Sequence, residues 1–292
     1  MAAELTVVIP AYNDQAGLEI LTPELAKELQ GLAVSYEILI VDDGSEPALV
    51  RPAGAPESLR LLRHPRNRGY GAAIKTGLRA ASGPYVQVMD ADNQHDPAFI
   101  GRFYSLVKNH DMVVGLRSDQ STSPLWRRPG KLFLTWFLNS LSARKVSDIN
   151  CGFRCIRKEA IMPHLDLCSD RFSFSLSSTV LLLNRGRDVQ FEPIVTRRRV
   201  GVSSVTLRTG FQTIILIIRL IVFTTPLRFF LPIAAALLAL GVAWTLPYIW
   251  MGRGVSVAGL FLMISGMLTF FFGILAEQLS ELLKRPQGSF QE

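Results

Sequence analysis

Two uncharged apolar runs, Phe229 to Trp250 and Gly254 to Ala276, constrain this chain more than any other feature. Each holds about 22 residues, and a helix rising ~1.5 Å per residue spans ~33 Å over that length, enough to cross a bilayer core. One such run also fits a buried globular helix. Two back to back, joined by a short turn carrying Arg253, read as a membrane hairpin. From Pro193 to Ala276 there is no Asp or Glu, while Arg197, Arg198, Arg199, Arg208, Arg219 and Arg228 collect early in that span. The formal charge of +7 is therefore local. With Lys284 and Arg285 after the second run, basic residues flank the hairpin's open end, which puts the large domain and the C-terminus in the cytoplasm. The expected setting is the inner (plasma) membrane of a prokaryote.

Ahead of the hairpin, Gly210 to Thr224 is apolar but broken by Arg219. It reads as a helix lying in the interface, with Thr225-Pro226 turning the chain into the bilayer. The other reading, a slanted third span, makes Arg219 costly. The expected organisation is an α/β domain over residues 1–207, an interfacial helix over 208–228, the hairpin over 229–282 and a tail over 283–292. Pro232, Gly241 and Pro247 are expected to bend the first span. Gly259, Gly266 and Gly273, at heptad spacing, offer the second a smooth strip for close packing. The run Leu5 to Ile9 is too short for a signal peptide and stops at Pro10. Cys151, Cys155 and Cys168 have no zinc-like spacing and are expected to be free thiols.

The first domain alternates strand and helix patterns. Leu5 to Ile9 reads as a buried strand, followed by a helix starting at Thr22-Pro23. Tyr36 to Val41 and Leu59 to Arg63 are the next strands, and a helix opens at Asn67-Arg68-Gly69-Tyr70-Gly71 and runs to about Ala81. Tyr85 to Met89 is a fourth strand and Asp111 to Val114 a fifth. This alternation predicts a doubly wound, mostly parallel α/β sheet.

In such sheets ligands gather where strands end. The second strand ends in Asp42-Asp43-Gly44-Ser45, the fourth in Asp90-Ala91-Asp92-Asn93-Gln94 and the fifth in Gly115-Leu116-Arg117. Hard oxygen ligands at Asp90 and Asp92 suit Mg²⁺ or Mn²⁺, with phosphates completing the shell. Carboxylates and a guanidinium at one sheet edge therefore point to a nucleotide diphosphate and a second anion. Gly69-Tyr70-Gly71 lacks the third glycine of a dinucleotide fingerprint, and no Walker sequence is present.

Val8-Ile9-Pro10-Ala11-Tyr12-Asn13, Val41-Asp42-Asp43-Gly44-Ser45, Asn67 to Gly71 and Asp90 to Gln94, in this order, resemble the serial motifs of family 2 glycosyltransferases with a GT-A fold. Asp148-Ile149-Asn150-Cys151-Gly152-Phe153-Arg154 and the hairpin resemble the polyprenyl-phosphate branch, the dolichyl-phosphate mannose synthases and bactoprenol glucosyltransferases. The resemblance implies that Pro10, Tyr12, Asp42, Asp43 and Asp90 border the nucleotide. It implies that Asp90, Asp92 and Gln94 hold the cation, with Asp92 and Arg117 essential to catalysis. Arg117, Arg128, Lys131, Arg154, Arg198 and Ser203 are implied for the acceptor phosphate or the diphosphate, with Arg127 a further candidate. The family's usual lysine stands here as Ser204, for which Arg197 or Arg199 is a candidate substitute. Asn13-Asp14 replaces the common Asn-Glu. Arg154 reads equally as a structural partner, Tyr12 and Phe153 as packing residues, His95 as a neighbour of the carboxylates, and Arg197 to Arg199 as a membrane-surface patch.

The implied reaction moves a sugar from a nucleotide sugar, expected to be UDP-linked, to a polyprenyl phosphate with inversion. The expected partners are these two substrates and the membrane, without nucleic acid; a homo-oligomer is left open. A phosphate monoester, with its second pKa at about 6, is already largely dianionic and needs positioning more than a base. Rival readings are transfer to another lipid or glycan hydroxyl, a nucleotidyltransferase, and a non-catalytic membrane scaffold. A processive polysaccharide synthase would carry more spans and a Gln-X-X-Arg-Trp run, neither of which this sequence contains.

Overall fold

The computed structural model describes residues 3–117, 151–171, 173–197 and 226–284, in two compact units that divide between Thr213 and Ile214. In the first unit the elements run β1 (Leu5–Ala11), α1 (Gln15–Gly31), β2 (Tyr36–Asp42), β3 (Leu59–Arg63), α2 (Tyr70–Ala80), β4 (Tyr85–Val88), α3 (Ile100–Val107) and β5 (Met112–Arg117). After the undescribed 118–150 come β6 (Arg154–Arg157), α4 (Phe174–Asn184) and β7 (Val189–Ile194). The strands form one seven-stranded sheet in the order β3-β2-β1-β4-β6-β5-β7. All pairings are parallel except those of β6, which runs antiparallel to both β4 and β5.

The doubly wound, mostly parallel sheet expected from the sequence is present, and the five anticipated strands fall where the apolar runs lie. β1 is buried along its whole length, which is why it reads as a continuous apolar run rather than an alternating one. β6 and β7 carry weaker signals. Arg154-Cys155-Ile156-Arg157 begins and ends in arginine, and β7 contains Pro193, which an edge strand tolerates because one side of its backbone needs no partner. The core lies along both faces of the sheet, with Leu18, Leu21, Leu25 and Leu29 of α1 fully buried. Phe153 meets Phe103 of α3 edge to face at 4.8 Å.

One helix start needs correction. α1 begins at Gln15 rather than at Thr22-Pro23, because the Asp14 carboxylate accepts the Gly17 N–H at 3.3 Å and caps the first turn. Pro23 then lies inside the helix, where the loss of one backbone bond costs about 3 kcal/mol. Burial of the four leucines on the same helix offsets it.

The second unit contains α5 (Pro226–Trp250) and α6 (Val257–Lys284). Phe229–Trp250 and Val257–Glu281 have a mean hydropathy of 2.1, and only 17% of each window is buried within the protein, unlike the core helix of a soluble domain. Residues 226–228, expected to close an interfacial helix, are instead the first turn of α5; residues 208–225 lie outside the described residues. α5 continues through Pro232 and Pro247, and the reversal between the helices uses Gly252 and Gly254 at φ +70° and +76°. The Glu277 carboxylate accepts the Leu227 N–H at 3.1 Å and so caps α5 from α6.

The two helices touch along the glycines of α6. A methyl group at Gly259 would lie 1.9 Å from Thr245 Oγ1, one at Gly266 2.8 Å from Leu238 Cγ, and one at Gly273 2.8 Å from Phe230 Cβ. Gly259→Leu is therefore expected to splay the hairpin at a cost of about 1–3 kcal/mol. Thermal unfolding in detergent checks this, and an unchanged melting temperature would remove the packing argument.

Candidate active site

The carboxyl ends of β1, β2, β4, β5 and β7 share one edge of the sheet, and β6 starts from it. The loops at that edge are stitched together by their own side chains. Asn13, at φ +54°, donates its N–H to Ser45 Oγ at 2.8 Å, and its Oδ1 accepts the Glu46 N–H at 3.0 Å. Pro10 is buried at the end of β1, and Tyr12 just beyond it is half exposed at 51%.

Asp42 and Asp43, implied to border the nucleotide, also organise the loops at this edge. Asp42 is fully buried; its Oδ1 accepts the Ser45 N–H at 2.8 Å, its Oδ2 accepts the Leu49 N–H at 3.3 Å, and Arg63 Nε stands 3.5 Å away. Asp43, also buried, accepts the N–H groups of Arg68 at 2.9 Å and Gly69 at 2.8 Å, and lies 2.7 Å from His64 Nδ1. Burial without such partners would be costly for a carboxylate, so backbone amides from a distant loop are recruited to it. Gly44 permits the turn: it sits at φ +77°, and a methyl group there would lie 2.4 Å from the Arg66 carbonyl carbon.

The β4 loop is different. Asp90 and Asp92 follow Val88 and are both partly accessible, as is Gln94. Asp92 Oδ1 accepts the Gln94 N–H at 3.1 Å, which folds the loop back on itself around Asn93 at φ +62°. Asp90 Oδ1 accepts the Tyr70 hydroxyl at 2.7 Å. The first turn of α1 presses on this loop, since a methyl group at Gly17 would lie 2.4 Å from the Ala91 carbonyl oxygen. On the far side Arg197 holds it, donating its N–H to the Gln94 carbonyl at 2.8 Å while its guanidinium pairs with Glu24 at 2.6 Å and Asp96 at 3.0 Å. Arg197 is thus a strut for the loop.

His95 is buried beneath the two carboxylates, with Nδ1 3.9 Å from Asp90 Oδ2 and Nε2 4.0 Å from Cys151 Sγ. Burial pulls its pKa below the usual value. Asp90 and Asp92 oppose that shift, and Arg117 and Arg154 add to it. Arg117 ends β5 at the same edge and is partly exposed.

Arg154, one of the residues implied for phosphate binding, is built into the interior. Its side chain is fully buried and donates to the carbonyls of Cys151 and Ser175, to Ser178 Oγ at 2.8 Å and to Thr179 Oγ1 at 3.3 Å. These bonds tie the guanidinium to α4 and to its own loop. The three cysteines are free and buried as expected, and burial raises the Cys168 thiol to about 12. Arg127, Arg128, Lys131, Arg198, Arg199, Ser203 and Ser204 lie outside the described residues. The contacts of Tyr70, Gly152 and His64 have no signal in the sequence, because their partners lie on other loops.

A divalent cation suits this chemistry. Asp90, Asp92 and Gln94 offer hard oxygen atoms on one short loop, and among the described residues no three His, Cys, Asp or Glu side chains converge into a closed cage. Such a partial set fits Mg²⁺ or Mn²⁺, which share their shell with phosphate oxygens.

Residues 6–164 match the model of glycosyl transferase family 2, and the chain belongs to that family. Residues 225–282 match a second model, the GtrB C-terminal hairpin. The undecaprenyl-phosphate 4-deoxy-4-formamido-L-arabinose transferase of Aeromonas hydrophila is 31% identical over 58% of this chain and 53% of its own length, so the chain spans about half of that relative. The protein of the same name from Erwinia tasmaniensis is 29% identical over 86% of this chain and 81% of its own. Among solved structures, glucosyl-3-phosphoglycerate synthase from Mycobacterium tuberculosis, crystallised with Mn²⁺, UDP and glucosyl-3-phosphoglycerate, superposes with a TM-score of 0.56. That similarity, at 16% identity over 75% of this chain and 80% of the other, establishes a shared fold.

Proposed function

We propose that this protein transfers a sugar from a nucleotide sugar, with UDP as the carrier, to the phosphate of a polyprenyl lipid, inverting the anomeric carbon. The observation that carries the reading is the Asp90/Asp92/Gln94 loop at the carboxyl edge of a family 2 sheet, in one chain with a hairpin of the GtrB type. The named activities of the relatives, undecaprenyl-phosphate sugar transfers, support it. The Mn²⁺ and UDP held by the structural neighbour support the choice of cofactor and carrier.

In this scheme Asp90, Asp92 and Gln94 hold Mg²⁺ or Mn²⁺ against the donor diphosphate. Bound there, the cation supplies Lewis-acid stabilisation of the departing nucleoside diphosphate. Pro10, Tyr12, Asp42 and Asp43 border the base and ribose. Arg117 takes the acceptor phosphate, with Arg128, Lys131, Arg198 and Ser203 as its assistants on the acceptor or the diphosphate. Because that phosphate is already largely dianionic, no side chain is needed to deprotonate it. The work of the arginines is to bring two like-charged groups together. The hairpin spans the plasma membrane of a prokaryote and keeps the sheet on the cytoplasmic side, where the lipid phosphate lies in the headgroup plane.

The full chain in detergent, incubated with Mn²⁺, polyprenyl phosphate and a panel of labelled nucleotide sugars, should give an organic-soluble, phosphate-linked sugar lipid. Transfer only to hydroxyl acceptors, or none at all, would overturn the proposal. Arg117→Ala should raise the KM for the lipid about tenfold or more and leave donor affinity unchanged. A collapse of donor affinity alone would reassign Arg117 to the other substrate.

A further inference from the structure

The Gly69-Tyr70-Gly71 run has no part in the reaction as drawn, yet it is tightly built into the fold. A methyl group at Gly69 would lie 2.5 Å from the Asp170 carbonyl oxygen, and one at Gly71 2.1 Å from that of Ser169. The Ala72 N–H donates to the Asp170 carbonyl at 2.9 Å, and Lys75 Nζ bonds Asp170 Oδ1 at 2.7 Å. The first turn of α2 is thereby pressed against residues 169–171 at a distance that only glycine permits. The tyrosine between the two glycines reaches Asp90, its hydroxyl donating to Oδ1 at 2.7 Å.

The other side of the same carboxylate is also closed. A methyl group at Gly152 would lie 2.3 Å from Asp90 Oδ2 and 2.7 Å from its Cγ. The backbone of Gly152 therefore packs directly on the carboxylate, and its neighbour Cys151 is tied by its carbonyl to the buried Arg154. An aspartate side chain left to itself samples several rotamers, with a broad terminal torsion. Here it is held between a hydroxyl and a backbone.

We propose that Tyr70 is a positioning residue that, with Gly152 opposite, fixes the Asp90 carboxylate in its cation-binding orientation before any ligand arrives. The inference rests on the glycosyltransferase reading, since it gives Asp90 a cation to hold. Groups that orient a metal-ligating carboxylate typically change metal affinity about 10- to 100-fold when removed.

The test uses the full chain in detergent, with Mn²⁺ binding followed by electron paramagnetic resonance in the presence of UDP. Tyr70→Phe removes one oxygen and keeps the ring. It should weaken Mn²⁺ binding about tenfold or more, with UDP binding in the absence of metal and the melting temperature unchanged. Excess Mn²⁺ should then recover turnover. Wild-type Mn²⁺ affinity in the folded variant would overturn the proposal, as would a lower melting temperature with no metal defect. Should Tyr70→Phe not fold, Gly152→Ala reads the same clamp from the other side: weaker Mn²⁺ binding supports the proposal and unchanged binding refutes it. If the unaltered protein binds no Mn²⁺ with UDP, the glycosyltransferase reading falls as well, an outcome distinct from a failure of Tyr70 alone.

Discussion

Asp92→Ala is expected to abolish sugar transfer, with a loss of about 10³-fold or more, while the protein stays folded and membrane-bound. The size follows from the role proposed for the residue. A cation that stabilises a departing diphosphate contributes several kcal/mol to the transition state, and ~4 kcal/mol corresponds to roughly a thousandfold in rate. The fold should survive because Asp92 is partly accessible, and the bond it accepts from the Gln94 N–H is worth about 1 kcal/mol. Turnover and thermal unfolding measured on the same preparation separate the two effects. Full activity in the variant would remove Asp92 from the cation site.

The second large effect is on stability. Arg154→Met removes a guanidinium that donates to two backbone carbonyls and two hydroxyls in the protein interior. Burying a charge is itself costly, so replacing it with an apolar side chain relieves a penalty. Here the relief is outweighed, because the buried Cys151 carbonyl loses the guanidinium that donates to it, and a buried group left unsatisfied costs about 1–3 kcal/mol; the Ser175 carbonyl keeps the hydroxyls of Ser178 and Thr179. A net loss of about 1–3 kcal/mol is expected in denaturant unfolding of the detergent-solubilised chain. Metal-dependent UDP binding should weaken in parallel, since Cys151 adjoins the glycine that packs on Asp90. Unchanged stability would show that Arg154 is not a keystone of the 151–154 turn.

Much of this architecture was legible in the amino-acid order. The strands from β1 to β5 are apolar runs bounded by turn residues, and the hairpin helices coincide with two uncharged stretches of membrane length. The spacing of Gly259, Gly266 and Gly273 anticipated the close face between the two helices. β6 was not legible, because a four-residue strand that begins and ends in arginine gives no periodic signal. The start of α1 was misplaced for a related reason: Thr22-Pro23 carries a familiar start signal, and the earlier cap at Asp14 prevailed once the leucines of the whole helix were buried.

By itself the sequence determined where strands β1 to β5 end, which residues stand there, and that two uncharged apolar runs follow, because period, length and composition are local properties. It could not say which of the strand-end charges face an open edge. Asp42, Asp43 and Arg154 have the same chemistry as Asp90, Asp92 and Arg117, yet they are buried in bonds to Leu49, Gly69 and Ser178. Only the tertiary structure brings those partners to them, and a buried charge keeps whatever partners the fold supplies.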